Sequence, residues 1–214
     1  VADIGIGIVG GGYMGKAHSA AFASVGTIFE TRLKPRLVAI CGFSPVSSAR
    51  YAAAYGFARG ATDWADLVND PAVEAVIIAS PQDTHRAIAE AALALGKPVL
   101  CEKPMGLDVA DARAMVAAAD KAGVANQVAY NYIRTPASQY ARKLIADGSL
   151  GQLTHFRGEH TEDFHNDTGV AAWRYSGEAN GCLGDLAPHI INAALALMGP
   201  IDELNAVMET VHPT

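Results

Sequence analysis

Half of the 214 residues are hydrophobic and 18% are charged, which excludes a disordered chain and allows one large domain or two small ones with a real core. A net charge of −6, from 16 basic and 22 acidic residues, argues against a surface for nucleic acid or anionic lipid. Cys41, Cys101 and Cys182 are scattered without a C-x-x-C spacing, so neither a zinc site nor a disulfide framework is expected. No basic-then-apolar leader is visible, and no apolar run approaches the roughly 20 residues of a membrane span. The expectation is a cytoplasmic protein.

Residues 4–9 form a short β-branched run, the pattern of a buried parallel strand. An Ala-rich helix over 14–25 follows, then a strand at 36–40 and a helix at 47–55 closed by Gly56. A short helix at 63–68 is stopped by Asp70-Pro71, and a strand occupies 73–79. Thr84 suits the cap of a helix through His85 to Leu95, followed by a strand at 98–101, a helix at 108–122 and a strand at 124–130. Strands alternating with helices of this length predict right-handed βαβ units, hence a doubly wound parallel sheet over residues 1–130. Beyond it the pattern changes. A helix at 138–146, a long polar-alternating strand at 153–164, a helix at 185–198 and a strand at 201–210 predict a second, incomplete α/β domain over 131–214, with an open and largely antiparallel sheet.

The first strand runs into Gly10-Gly11-Gly12-Tyr13-Met14-Gly15. In a Gly-x-Gly-x-x-Gly turn the first glycine allows the bend and the second lets backbone approach a pyrophosphate. The third lets helix pack on strand, and the helix N-terminus faces the phosphates. A strand before and a helix after are the context that gives this motif meaning. Gly10, Gly12, Tyr13, Met14 and Gly15 are therefore candidates for holding NAD(P). The second strand ends in Cys41-Gly42-Phe43-Ser44, where a ribose-binding acid commonly stands. No carboxylate is there to repel a 2′-phosphate, and Ser44, Ser47 and Arg50 are candidates to contact one beside Gly42. The reading leans to NADP, with NAD held through backbone groups as the alternative.

Cys101-Glu102-Lys103-Pro104 follows a strand of the same sheet, at the edge where doubly wound folds bind ligands. An ammonium there can stabilise charge on a substrate oxygen, although most lysines are simply solvated. Asp185 and His189 are four apart in Gly184-Asp185-Leu186-Ala187-Pro188-His189, so one helix face can carry both. Either His189 accepts or donates the substrate's proton while Asp185 orients it or binds a substrate hydroxyl, or Asp185 caps a helix holding a packed imidazole. His18 and His85 each follow a candidate ligand edge, where they contact a cofactor or pack. His155, His160 and His165 lie among Glu159, Glu162, Asp163 and Asp167, and a spacing of five alternates strand faces. A polar wall for a hydroxylated ring, with Trp173 and Arg174 beside it, therefore fits better than a metal site.

These segments resemble the Gfo/Idh/MocA oxidoreductase family along nearly the whole chain. The resemblance runs from residues 10–18 through Ser80-Pro81 with His85, then Gly96-Lys97-Pro98-Val99-Leu100-Cys101-Glu102-Lys103-Pro104, residues 130–136 and the Gly-Asp-Leu-Ala-Pro-His block. It implies a Rossmann domain, a C-terminal domain with a large open sheet, and NAD(P)-dependent oxidation of a sugar, polyol or inositol-like hydroxyl. It implies catalytic roles for Lys103, Asp185 and His189, and cofactor contacts at Ser80, Pro81, His85, Glu102 and Lys103. It also places Asn131, His160, Asp163, Trp173 and Asn192 near substrate. Asn192 stands where the family often has Asp. A homo-oligomer, dimer or tetramer, joined through the sheet domain is expected, with no nucleic-acid or membrane partner. Two further activities fit the same pattern: an NAD-dependent glycosidase, and a regulator that senses the dinucleotide without turning it over.

Overall fold

The computed structural model describes residues 2–162 and 181–209. The chain divides into two compact units, Val1–Ala129 and Tyr130–Thr214.

The first unit is a six-stranded, all-parallel sheet in the order β3-β2-β1-β4-β5-β6. Its strands are β1 (Ala2–Val9), β2 (Leu33–Cys41), β3 (Arg59–Gly60), β4 (Ala75–Ile78), β5 (Val99–Cys101) and β6 (Asn126–Val128). The crossovers are the helices α1 (Tyr13–Ile28), α2 (Pro45–Tyr55), α3 (Trp64–Asn69), α4 (His85–Ala94) and α5 (Val109–Ala122). Ile8, Ile40, Val76 and Ile78 are fully buried, as strands covered on both faces must be. One apolar cluster joins Val9, Val76, Ile78 and Val99 to Leu67, Ile88 and Met115; a second joins Ile6, Ile8, Ile40 and Ile77 to Ala52 and Phe57. This order reverses direction between β1 and β4, which makes the carboxyl ends of those strands the ligand-binding crevice.

Side-chain caps and closing glycines set ends of α2, α3 and α5, while the start of α4 departs from expectation. Asp63 and Asp108 cap α3 and α5 through the amides of Asp66 and Asp111, both at 2.8 Å, and Gly56 and Gly123 close α2 and α5 in the left-handed region. Thr84 does not cap α4. Its hydroxyl turns back to the Pro81 carbonyl at 2.7 Å and lies 2.6 Å from the Ser80 hydroxyl, bracing the loop after β4. The two-residue β3 carries no strand signal of its own and exists through pairing with Ala39 and Ile40.

An ion network fastens this edge. Arg59 donates to Asp66 at 2.9 Å and to Asp70 at 2.7 Å, and Asp66 also accepts from the Thr62 amide. Hydrogen bonds from the Arg59 guanidinium hold both carboxyls below their ordinary 3.8. A carboxyl depressed in the folded state contributes stability above the unfolded value and loses it as pH falls through the folded one. The network is partly exposed, so Arg59→Gln should cost only about 1 kcal/mol at neutral pH. Urea titrations should show the gap between parent and variant closing below pH 3.8; a gap unchanged at pH 2.5 would contradict the assignment.

The second unit contains α6 (Pro136–Ala146), α7 (Gly181–Asp185) and α8 (Ala187–Met198). The sequence predicts one helix over 185–198 with Asp185 as its cap; instead Asp185 ends α7, the chain breaks at Leu186, and α8 starts at Ala187. Pro188 accounts for this, because its ring cannot follow a helical turn without clashing upstream and sits best in a first turn. The expected strands are not formed over 153–162 or 201–209, and residues 201–209 are all exposed. Alternating polarity selects a face only where a neighbouring strand supplies hydrogen bonds, and no pairing partner occurs among the described residues of this unit. Gly181–Met198 has the length and apolar composition to cross a membrane, but the stretch is broken at Leu186 and carries Asp185, His189 and Asn192.

Candidate active site

Backbone hydrogen bonds bring five strand ends level. The Gly10 amide donates to Cys41 at 2.8 Å, Ala79 to Val9 at 2.7 Å, Glu102 to Ile78 at 2.8 Å and Ala129 to Cys101 at 2.8 Å. The glycine turn, the Gly42–Ser44 loop, the Ser80–Pro81 loop and the Glu102–Lys103 segment thus emerge side by side at the crevice.

Two glycines are dictated by contact. Gly10 has φ +101°, and a Cβ there would meet the Ala79 carbonyl. A Cβ on Gly15 would collide with the carbonyl oxygen of Gly10. At Gly12 the same test finds open space, with no atom within 4 Å. Gly12 is also the N-cap of α1, which has no side-chain cap and no acid in its first turn. First-turn amides left without partners, under a residue with no side chain, suit a pyrophosphate. The residues fit a dinucleotide. Tyr13 is exposed and Met14 half-buried beside the turn.

The next loop is more occupied than its sequence suggests. Ser44 caps α2 in a capping box: the Ser47 amide donates to Ser44 Oγ at 3.2 Å and the Ser44 amide donates to Ser47 Oγ at 2.8 Å. A Cβ at Gly42 would lie 2.5 Å from Ser47 Oγ and 3.0 Å from the Tyr51 ring. Tyr51 stacks on Tyr55, whose hydroxyl donates to the Gly11 carbonyl at 3.1 Å. Arg50 lies 5.0 Å over the Tyr51 ring. These two tyrosines wall the loop, a role that nothing in their spacing announces.

Lys103 is half-buried at the end of β5. Beside it Glu102 is 6% exposed, with Oε1 2.8 Å from His18 Nε2 and Oε2 accepting from the Lys103 amide at 3.2 Å. His85 is 1% exposed, with both ring nitrogens against backbone carbonyls. It braces the loops rather than opening onto the crevice. Burial pushes the neighbouring Cys101 thiol up to about 12, so that thiol stays protonated and inert.

In the second unit, His189 is buried and stacks on Tyr132, centroids 4.0 Å apart and planes 13° apart. The His160 ring lies 5.6 Å from both, and its Nε2 is 3.2 Å from Glu162. The structure thus brings His160 to His189 and adds Tyr132, which the sequence does not single out. Asn192 Oδ1 is buried and without a hydrogen-bond partner among the described residues. Asn131 is exposed. Asp163, His165, Trp173 and Arg174 lie outside the described residues, and no cluster fit for a metal occurs among the described ones.

Residues 4–130 match a family model described as an oxidoreductase family with an NAD-binding Rossmann fold, and residues 138–214 match the GFO/IDH/MocA C-terminal domain. The chain belongs to the Gfo/Idh/MocA family. Among its relatives is levoglucosan dehydrogenase of Pseudarthrobacter phenanthrenivorans, 36% identical over 99% of this chain and 55% of that protein. D-apiose dehydrogenase of Paraburkholderia graminis is 28% identical over 96% of this chain and 52% of that protein. Among solved structures, levoglucosan dehydrogenase in complex with NADH and levoglucosan superposes with a TM-score of 0.87 at 35% identity, covering 92% of this chain and 54% of that one. An oxidoreductase domain protein from Kribbella flavida gives 0.87 at 38% identity, covering 93% and 55%. The chain spans about half the length of these Gfo/Idh/MocA relatives.

Proposed function

We propose that this chain is the dinucleotide-binding half, with part of the second domain, of a cytoplasmic NAD(P)-dependent dehydrogenase acting on a sugar, polyol or inositol-like hydroxyl. The observation that carries the reading is Lys103 at the end of β5, on the same sheet edge as an uncapped glycine-turn helix. The dinucleotide supplies the hydride acceptor. The Lys103 ammonium donates a hydrogen bond to the substrate oxygen and stabilises the negative charge that grows there. The His189 imidazole takes the hydroxyl proton, with Asp185 orienting the substrate and Tyr132 fixing the ring plane. Asn131, His160, Asp163, Trp173 and Asn192 are the proposed substrate wall. Levoglucosan, D-apiose and myo-inositol are the first substrates to try, since relatives are named for them or for inositol. The native protein should reduce NAD or NADP with at least one of them. Tight dinucleotide binding with no turnover across a broad panel of hydroxylated compounds would sink the reading.

NADP is kept beside NAD. No acid closes β2, and the N-terminus of α2 adds a positive dipole at the loop where a 2′-phosphate would sit. NADPH should bind at least as tightly as NADH in a fluorescence titration. A tenfold preference for NADH, about 1.4 kcal/mol, would overturn this. Gly42→Asp is a poor probe, because its Cβ would first displace Ser47 Oγ.

The second domain's open, largely antiparallel sheet and the homo-oligomer built on it belong to this proposal, supported by the match to the family's C-terminal domain. Light scattering should find a dimer or tetramer of the native protein; a monomer at micromolar concentration would contradict it.

A further inference from the structure

We propose that His18 and His85 are positioning residues for Lys103, clasping the segment 102–104 from its two ends. The inference rests on the reading of Lys103 as the group that holds the substrate oxygen.

The segment leaves β5 as an irregular stretch, so its own secondary structure does not fix where the lysine side chain begins. Two imidazoles do. On the leading side, His18 of α1 lies 2.8 Å from Glu102 Oε1, while Glu102 Oε2 accepts the Lys103 amide at 3.2 Å. The carboxylate therefore transmits the position of α1 to the lysine backbone. On the trailing side, His85 opens α4 with Nδ1 3.0 Å from the Pro104 carbonyl oxygen and Nε2 2.9 Å from that of Ser80. Carbonyls only accept, so the ring nitrogen that carries the proton donates to its carbonyl, and the imidazole sits wedged between the two loops.

Burial gives these contacts force. Glu102 and His85 are 6% and 1% exposed, and a buried polar group that loses its partner bears the full cost of desolvation. Without His18, the Glu102 carboxylate has reason to turn toward water and release the Lys103 amide. The helices carrying the two imidazoles start from the glycine turn and from the Ser80–Pro81 loop. The clasp thus ties the lysine to the same two loops that frame the dinucleotide crevice.

The test compares His18→Ala, His18→Gln and His85→Gln with the parent. Backbone exchange over residues 101–105, reductive methylation of Lys103 read by mass spectrometry, NADH affinity and turnover are measured on each. Loss of one hydrogen bond to a buried charge should speed exchange in that segment by about tenfold or more in His18→Ala. Methylation of Lys103 should rise several-fold, and kcat should fall by about 10- to 100-fold, the scale of a slightly misplaced group. NADH affinity should stay within about threefold, because the phosphate cradle is untouched. His18→Gln, whose amide can still donate to Glu102, should recover most of the effect. His85→Gln should loosen the same segment; if burial makes it unstable, the His18 pair alone decides. Unchanged exchange and methylation in His18→Ala overturns the clasp, whatever the turnover. Loosening of the segment in a protein that oxidises no hydroxyl compound would support the clasp and reject the dehydrogenase reading.

Discussion

Replacing Lys103 with Met should lower turnover by about 10²- to 10⁴-fold while leaving dinucleotide affinity within about twofold. Met keeps most of the apolar stem and removes the ammonium that the proposed reaction sets against the substrate oxygen. Affinity should hold because the proposed phosphate cradle is backbone at Gly10–Gly15, in the turn after β1. Steady-state rates on whichever sugar or polyol the parent oxidises, with NADH fluorescence alongside, separate the two quantities. A Met variant within threefold of the parent would remove Lys103 from the chemistry. Lys103→Arg should not restore the parent rate, since a broad planar fork cannot take the place of a compact point charge.

The second large effect is a contrast inside the glycine turn. Gly12→Val should cost at least tenfold in NAD(P)H affinity and leave the melting temperature nearly unchanged. Position 12 has φ −71° and ψ −158°, which valine adopts readily, and its Cβ meets no protein atom within 4 Å. The added methyls would fill space that a bound pyrophosphate needs at the N-terminus of α1. Gly15→Ala should do the reverse in kind. Its Cβ runs into the Gly10 carbonyl, and Gly10 is itself pinned against the backbone of Ala79 and Ser80. Overpacking of this type costs about 1–3 kcal/mol, a drop of several degrees in a unit of this size. Calorimetry and a titration on each variant check both. A Gly12→Val protein that binds NADH normally would mean the phosphates lie elsewhere.

Much of the first unit was legible because β1, β4 and the end of β2 are rich in Ile and Val and its turns carry glycine in positions that only turns require. What escaped was set by distant partners. Arg59–Gly60 is a strand only because Ala39 and Ile40 lie beside it. Glu102 and His18 are 84 residues apart and no local pattern joins them. Thr84 reads as a cap, yet its hydroxyl had a nearer carbonyl at Pro81. In the second unit the alternation at 153–164 described a face without describing a neighbour, so a pattern that was real as chemistry formed no strand over 153–162. Asp185 and His189 were paired on one helix, while Pro188 broke that helix between them. The stack of Tyr132 on His189 had no signal in spacing at all.

The level ends of β1, β2, β4 and β5 act as a ruler for length variation. Adding a single residue within β4 would carry Ser80 about 3.3 Å past Gly10 and turn every later side chain of that strand to the opposite face. The same insertion in the loop at Asp70–Ala72, beyond the other edge of the sheet, would leave the crevice in register. Natural or engineered variants of this chain should therefore change length at the amino ends of the strands, or out in the loops beyond the carboxyl ends, and hardly ever within the strands themselves.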